Sequence, residues 1–304
     1  MLTDLTDTTT GDIRAALAKT QGEMGGPATG VVLNLIIVTD ESGQHDAVRA
    51  ASQAGREHPC RVLAVIARDP RAASRLDAEL RSGEGTPGQT VLLRLYGPMS
   101  EHADSVIMPL LVPDTPVVTW WHGVIPAVPA AQPLGELAQR RVTDAARAKA
   151  PAEALAALSA GYQPGDTDFS WTRATPWRSL LAATVDQEPY PITGGVVQAE
   201  EHNPTAELLT AWLGGRLNAP FVREISTGPG VTEVRLQTTG GDIVISRPDG
   251  RVATLTRPGQ PDRHVALHRR DIAELLAEEL RRLDPDEVYG EALAGVTGIP
   301  AIAG

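Results

Sequence analysis

The segment Val31-Val32-Leu33-Asn34-Leu35-Ile36-Ile37-Val38 is a nearly unbroken apolar run rich in β-branched residues. A strand with one wet face alternates polar and apolar residues, so a run of this kind reads as a strand buried on both faces of a parallel sheet. Working outward, Gly11-Asp12 opens an Ala-rich helical stretch from Ile13 to Lys19 with Asp12 placed as its N-cap, and Gln44 to Glu57 reads as a helix after the strand. The alternation continues with Arg61–Ala67 as strand, Arg71–Arg81 as helix, Thr90–Tyr96 as strand, Ser100–Leu111 as helix and Pro116–Trp121 as strand. Strands separated by single helices need crossover connections, which place helices on both faces. The expected class is therefore α/β, doubly wound, with a mainly parallel sheet.

From Pro126 to Ala160 the pattern weakens to Ala-rich helix broken at Pro133 and Pro151, with a short edge strand around Arg141-Val142-Thr143. Thr175-Pro176 reads as a helix start, with Thr175 as cap and Pro176 at the first helical position. Pro189-Tyr190-Pro191 and Gly194-Gly195 mark the best boundary, dividing the chain into an N-terminal α/β domain, 1–190, and a smaller C-terminal domain, 191–304. Beyond it, Asn203-Pro204 opens a helix to about Leu217. Val231–Leu236, Asp242–Ser246 and Arg251–Leu255 then alternate as hairpin strands, and an amphipathic helix from Arg270 to Leu283 and a shorter one after Asp284-Pro285 close the pattern. That half is expected to be α+β with an antiparallel sheet.

With 304 residues, 42% of them hydrophobic, the chain has material for two cores. A formal net charge of −11 argues against nucleic acid and anionic lipid as partners, since both require a cationic surface. No cationic and apolar leader is visible at Met1-Leu2-Thr3-Asp4 and no apolar run approaches the ~20 residues that span a bilayer, so a cytoplasmic location is expected. The lone cysteine, Cys60, opens a strand and reads as a small buried hydrophobe.

Strings that could carry chemistry have plainer explanations. Gly83-Glu84-Gly85-Thr86-Pro87-Gly88 matches G-x-G-x-x-G, but it leads into a strand and holds a proline, whereas a dinucleotide fingerprint follows a strand and opens a helix. His264 and His268 lack the intervening glutamate of a zinc hydrolase. Asp166 with Asp168 and Asp284 with Asp286 are carboxylate pairs, the first in a polar loop and the second capping a helix. No catalytic residues, metal or cofactor are assigned. The carboxyl ends of the strands, at Thr39-Asp40-Glu41-Ser42, Arg68-Asp69, Tyr96-Gly97 and Trp121-His122-Gly123, form the natural small-molecule crevice of such a sheet, yet the first of these loops offers two acids to any phosphate.

Tryptophan is the unusual residue. The chain has 5 Trp against 2 Phe and 4 Tyr, and Trp120, Trp121, Trp171 and Trp177 fall in one stretch with His122, Arg173 and Arg178. Adjacent strand residues face opposite ways, so one of Trp120 and Trp121 is expected to be partly accessible. Trp and Arg are enriched where proteins bind proteins, which makes Trp120, Trp121, His122, Trp171, Arg173, Trp177 and Arg178 candidate partner-binding residues; the alternative is that helices cover the rings and the cluster is core.

Several longer segments carry a resemblance. Arg56-Glu57-His58-Pro59-Cys60-Arg61-Val62, the stretch Met108–Val118 ending in Trp120-Trp121, Asp168–Arg178, Glu207–Leu213 and Leu283–Tyr289 resemble the OpcA family, in that family's order and over nearly the whole chain. The resemblance implies an accessory protein, not an enzyme, that binds glucose-6-phosphate dehydrogenase, promotes its oligomeric assembly and activates it allosterically, supporting the oxidative pentose phosphate pathway and NADPH output. Some relatives are thought to respond to thiol redox state through several cysteines, a mode that Cys60 alone puts in doubt. The other reading is a sugar-phosphate or nucleotide sensor that uses the strand-end crevice.

Overall fold

In a computed structural model, residues 2–23, 31–81, 89–296 and 301–302 are described. The Gly83–Gly88 string lies outside them. The chain forms two compact units, residues 1–144 with 272–285, and residues 145–271 with 286–304. These units cut the chain at 144/145 where composition suggested 190/191, and they assign the helix at 272–281 to the first unit.

The first unit contains β1 (Leu2–Leu5), α1 (Thr10–Glu23), β2 (Leu33–Thr39), α2 (Gln44–Ala54), β3 (Cys60–Ala67), β4 (Arg75–Arg81), β5 (Thr90–Tyr96), α3 (Ala103–Ile107), β6 (Val117–His122), α4 (Pro133–Glu136) and β7 (Arg140–Thr143). Its strands lie side by side in the order β1-β4-β5-β3-β2-β6-β7. β2, β3, β5, β6 and β7 are parallel. Counted among themselves these five run 3-2-1-4-5, so the order reverses between β2 and β6, where doubly wound sheets open their ligand crevice.

One expected helix is a strand. Arg75-Leu76-Asp77-Ala78-Glu79-Leu80-Arg81 alternates polar and apolar, and β4 buries Leu76, Ala78 and Leu80 while pairing antiparallel with β5 and β1. The period of two, more than the alternation of elements along the chain, decides the segment. The 100–111 segment is also not one helix: α3 is flanked by single 3₁₀ turns at Gly97–Glu101 and Met108–Leu110. α1 starts earlier than expected because Thr9 and Asp12 cap it reciprocally, Asp12 N–H donating to Thr9 Oγ1 and Thr9 N–H to Asp12 Oδ2, both at 3.2 Å.

The second unit contains α5 (Pro151–Ala160), β8 (Asp166–Asp168), α6 (Phe169–Val185), β9 (Ile192–Ala199), α7 (Pro204–Leu217), β10 (Phe221–Ile225), β11 (Val231–Thr238), β12 (Ile243–Ser246), β13 (Val252–Thr256) and β14 (Arg263–Ala266). The chain then returns to the first unit as α8 (Ile272–Arg281) and ends in the second with α9 (Glu287–Gly295) and β15 (Ala301–Ile302). The sheet of this unit runs β14-β13-β12-β11-β9-β10-β15. It is mostly antiparallel, as expected, but β9, β10 and β15 are parallel neighbours, with α7 the crossover between β9 and β10.

α8 belongs with the first unit because it packs on α2 and because the buried Glu279 accepts from two guanidinium nitrogens of Arg140 of β7 at a single oxygen: Arg140 Nε and Nη2 both donate to Glu279 Oε2, the former at 3.0 Å. Arg140 also donates to the Asp284 carbonyl at 2.9 Å. A buried ion pair of this kind is tolerated only when its hydrogen bonds are complete. Among the described residues no helix is long and apolar enough to cross a membrane.

Candidate functional site

The candidate residues fall into two groups, one in each unit. In the first, β6 carries Trp120, Trp121 and His122, and all are buried, Trp120 at 0% and Trp121 at 5% exposure. The expectation that one ring would be accessible is corrected. The rings do point to opposite faces, but both faces of a parallel sheet are covered. Trp120 and His122, two residues apart, share a face and meet edge-on with centroids 5.1 Å apart. On the other face the Trp121 ring packs on Gly135 of α4, where a Cβ would lie 3.3 Å from it.

His122 ends β6 at the point where the strand order reverses, and the crevice there is filled by the chain itself. Thr39 Oγ1 lies 3.4 Å from His122 Nδ1, and a Cβ on Gly43 would come within 2.9 Å of both atoms. Asp40 Oδ1 accepts from Ser42 Oγ and from the Gly43 N–H, each at 2.7 Å, so a carboxylate already sits at the amino end of α2. The Ser42 hydroxyl and the Gly43 N–H together hold the Asp40 carboxyl below its ordinary range. Glu41 pairs with Arg68 at 3.0 Å and Arg94 at 3.3 Å. Partial burial opposes its ionisation, and the hydrogen bonds from Arg94 and Gln44 overcome this. Arg75 lies over the Tyr96 ring at 4.1 Å.

The second group lies on α6. This helix begins at Phe169, with Asp168 as N-cap accepting from the Ser170 N–H at 2.8 Å, so Thr175-Pro176 is an interior site and not the helix start. A proline inside a helix cannot donate to the carbonyl four residues back, here Thr172. Arg270 supplies the missing donor, its guanidinium bonding the Thr172 carbonyl.

Trp171 and Trp177 are each 1% exposed. Trp171 donates from Nε1 to Asp286 Oδ2 at 2.8 Å, tilts against Tyr289 at 6.0 Å and lies beneath the Arg178 guanidinium at 3.6 Å. Trp177 carries Arg247 at 4.9 Å. These are cation–π stacks inside the protein. Of the set, Arg173 and Arg178 are half-buried and reach the surface. Arg173, Pro176 and Trp177 line a cavity of about 280 Å³ within the second unit.

The remaining candidates resolve into structural duties. Asp168 also accepts from the Ala145 N–H, Asp166 from the Gln163 N–H, and Asp286 caps α9 through the Tyr289 N–H. His264 lies 3.3 Å from Thr254 Oγ1 on the exposed side of β14. Among the described residues no group of three or more His, Cys, Asp or Glu side chains is placed to hold a metal ion. Cys60 is sealed in the core, and burial pushes its thiol up to about 12, which leaves little thiolate at neutral pH.

Arg247 escaped sequence inspection because it sits in no motif. A signal existed: the alternation of Ile243, Ile245 and then position 247 points inward, so this arginine was bound for the interior.

The fold and its buried tryptophan–arginine stacks define a class: a two-unit α/β protein whose strand-end crevice is closed by its own carboxylates. Two family models then match in chain order, one described as the glucose-6-phosphate dehydrogenase subunit N-terminal domain over residues 51–160 and one as the C-terminal domain over residues 164–293. The chain belongs to the OpcA family of glucose-6-phosphate dehydrogenase subunits. No curated protein matches it. Among solved structures, an NAD-binding oxidoreductase from Klebsiella pneumoniae is similar at 10% identity over 88% of this chain and 96% of that one, with a TM-score of 0.43. A UDP-N-acetylglucosamine 3-dehydrogenase from Acidithiobacillus ferrooxidans is similar at 12% identity over the same shares, with a TM-score of 0.33.

Proposed function

We propose that the chain is a non-enzymatic accessory protein that binds glucose-6-phosphate dehydrogenase in the cytoplasm, promotes its oligomeric assembly and raises its activity, and so supports the oxidative pentose phosphate pathway. The observation that carries this reading is the match of both domains of one dehydrogenase-subunit family, in order, over residues 51–160 and 164–293. An activator works by binding the active form of its partner more tightly than the inactive form. Arg173 and Arg178 are the members of the tryptophan–arginine set available for direct contact. Trp171 and Trp177 hold the helix that presents them, and Trp120, Trp121 and His122 hold the end of β6.

The test is the rate of purified glucose-6-phosphate dehydrogenase from the same organism with and without this protein, together with the mass of the mixture by light scattering. A higher rate and a co-migrating complex are expected. The absence of both a complex and a rate change would overturn the reading.

A further inference from the structure

The cavity in the second unit is cationic in an acidic chain. Its lining includes Arg147, Arg173, Arg247, Arg269 and Arg270, against a single acid, Glu200. Glu200 is turned to other work, accepting from the Gly230 N–H and from Asn203 Nδ2, both at 3.0 Å. Arg147, Arg247 and Arg269 make no ion pair among the described residues.

Arg247 is the telling member. It is 5% exposed and bonds only the carbonyls of Leu267 and Val231, at 2.9 and 2.8 Å, while its Nε has no hydrogen-bond partner among the described residues. Desolvation, with Arg269 nearby adding repulsion that Asp249 offsets only in part, pushes its guanidinium down to about 10. A buried arginine that makes no ion pair is costly unless an anion arrives. The amino end of α7, a 14-residue helix, also opens here: Asn203 and Thr205 line the same cavity, and helix amino ends favour anions.

We propose that this cavity binds a small phosphorylated metabolite, with its phosphate held at the amino end of α7 by Arg147, Arg247 and Arg269. A phosphomonoester carries roughly −1.5 to −2 charge at neutral pH and presents the oxygens that planar guanidinium forks grip in pairs, so it answers the excess of arginine better than one carboxylate does. A volume of about 280 Å³ lies at the small end of ligand cavities and suits a phosphate with one ring, not a dinucleotide. The buried face of Trp177 supplies an apolar wall.

The experiment is calorimetric titration of the full chain alone with a hexose phosphate, inorganic phosphate, the unphosphorylated hexose and a glutamate-rich peptide. The hexose phosphate is expected to bind saturably and to raise the melting temperature, phosphate to compete for the same site, and the hexose and the peptide not to bind. Arg147 and Arg269 are exposed, so Arg147→Ala and Arg269→Ala should keep the fold, checked by circular dichroism, and each weaken binding about tenfold. Should one of these variants lose its fold, the other decides. Absence of saturable binding by either phosphate compound up to about 10 mM, affinity unchanged in the variants, or stronger binding of the acidic peptide would each overturn the proposal.

Discussion

Two strand-to-helix junctions in this protein use the same local plan and arrive at opposite electrostatics. At the first, β2 runs into α2 through Asp40-Glu41-Ser42-Gly43, and the Asp40 carboxylate takes the Gly43 N–H at 2.7 Å. At the second, β9 runs into α7 through Glu200-Glu201-His202-Asn203, and Asn203 caps the helix by accepting from the Ala206 N–H at 3.0 Å. Each loop carries two acids. In the first they sit at the helix end or pair with Arg68 and Arg94, which closes the site. In the second, Glu200 turns to Gly230, and arginines remote in sequence gather at the open end. An acid's presence in a loop thus says little about whether an anion is repelled; its hydrogen-bond partner decides.

This contrast can be broken most forcefully at Trp177, the wall of the open junction. Trp177→Ala removes a ring that is 1% exposed and should cost about 3–5 kcal/mol, read as a lower urea midpoint. A loss below about 1 kcal/mol would show that the ring is not core, and would return it to the contact surface.

At the closed junction the expected effect is smaller. Gly43→Ala would place a Cβ within 2.9 Å of both His122 Nδ1 and Thr39 Oγ1, and should destabilise by about 1–3 kcal/mol. A neutral substitution would mean that the crevice between β2 and β6 has room and is not closed.

The smallest effect is electrostatic. The Asp40 carboxyl is held below its ordinary 3.8 by Ser42 and Gly43, so its stabilisation is present above pH 3.8 and is lost as pH falls through the lower folded value. Asp40→Asn should therefore be less stable than the parent at neutral pH, with the gap closing under acid. Asp40 is exposed, so screening keeps the difference small. A gap that does not change with pH would show that the carboxylate's charge plays no part at this helix end.

Much of the architecture was legible because local pattern and tertiary role agree. The run at 31–38 holds the buried strand Leu33–Thr39, although Val31 and Val32 precede it and Val32 is exposed; Asn203-Pro204 carries its cap and first-turn proline together, and the hairpin strands at 231–255 alternate as they face. The failures share a cause, which is that the deciding partner was far along the chain. Pro176 resembles a helix start until Arg270, 98 residues after Thr172 in sequence, is seen to bond the Thr172 carbonyl that the proline cannot serve. The 272–281 helix follows the second sheet in sequence, but Arg140 and α2 draw it into the first unit.

The sequence by itself determined the doubly wound class, the absence of a cationic surface overall, the burial of Cys60 and, through segments such as Asp168–Arg178 and Leu283–Tyr289, the family. Those segments meet in the fold: the Trp171 indole of one donates to the Asp286 carboxylate of the other. Tertiary structure alone decided that Trp120, Trp121, Trp171 and Trp177 are interior and that Arg147, Arg247 and Arg269 line one cavity. Local patterning sets which face a side chain takes. The charge at a point in space is a sum over residues from distant parts of the chain, and only folding assembles that sum.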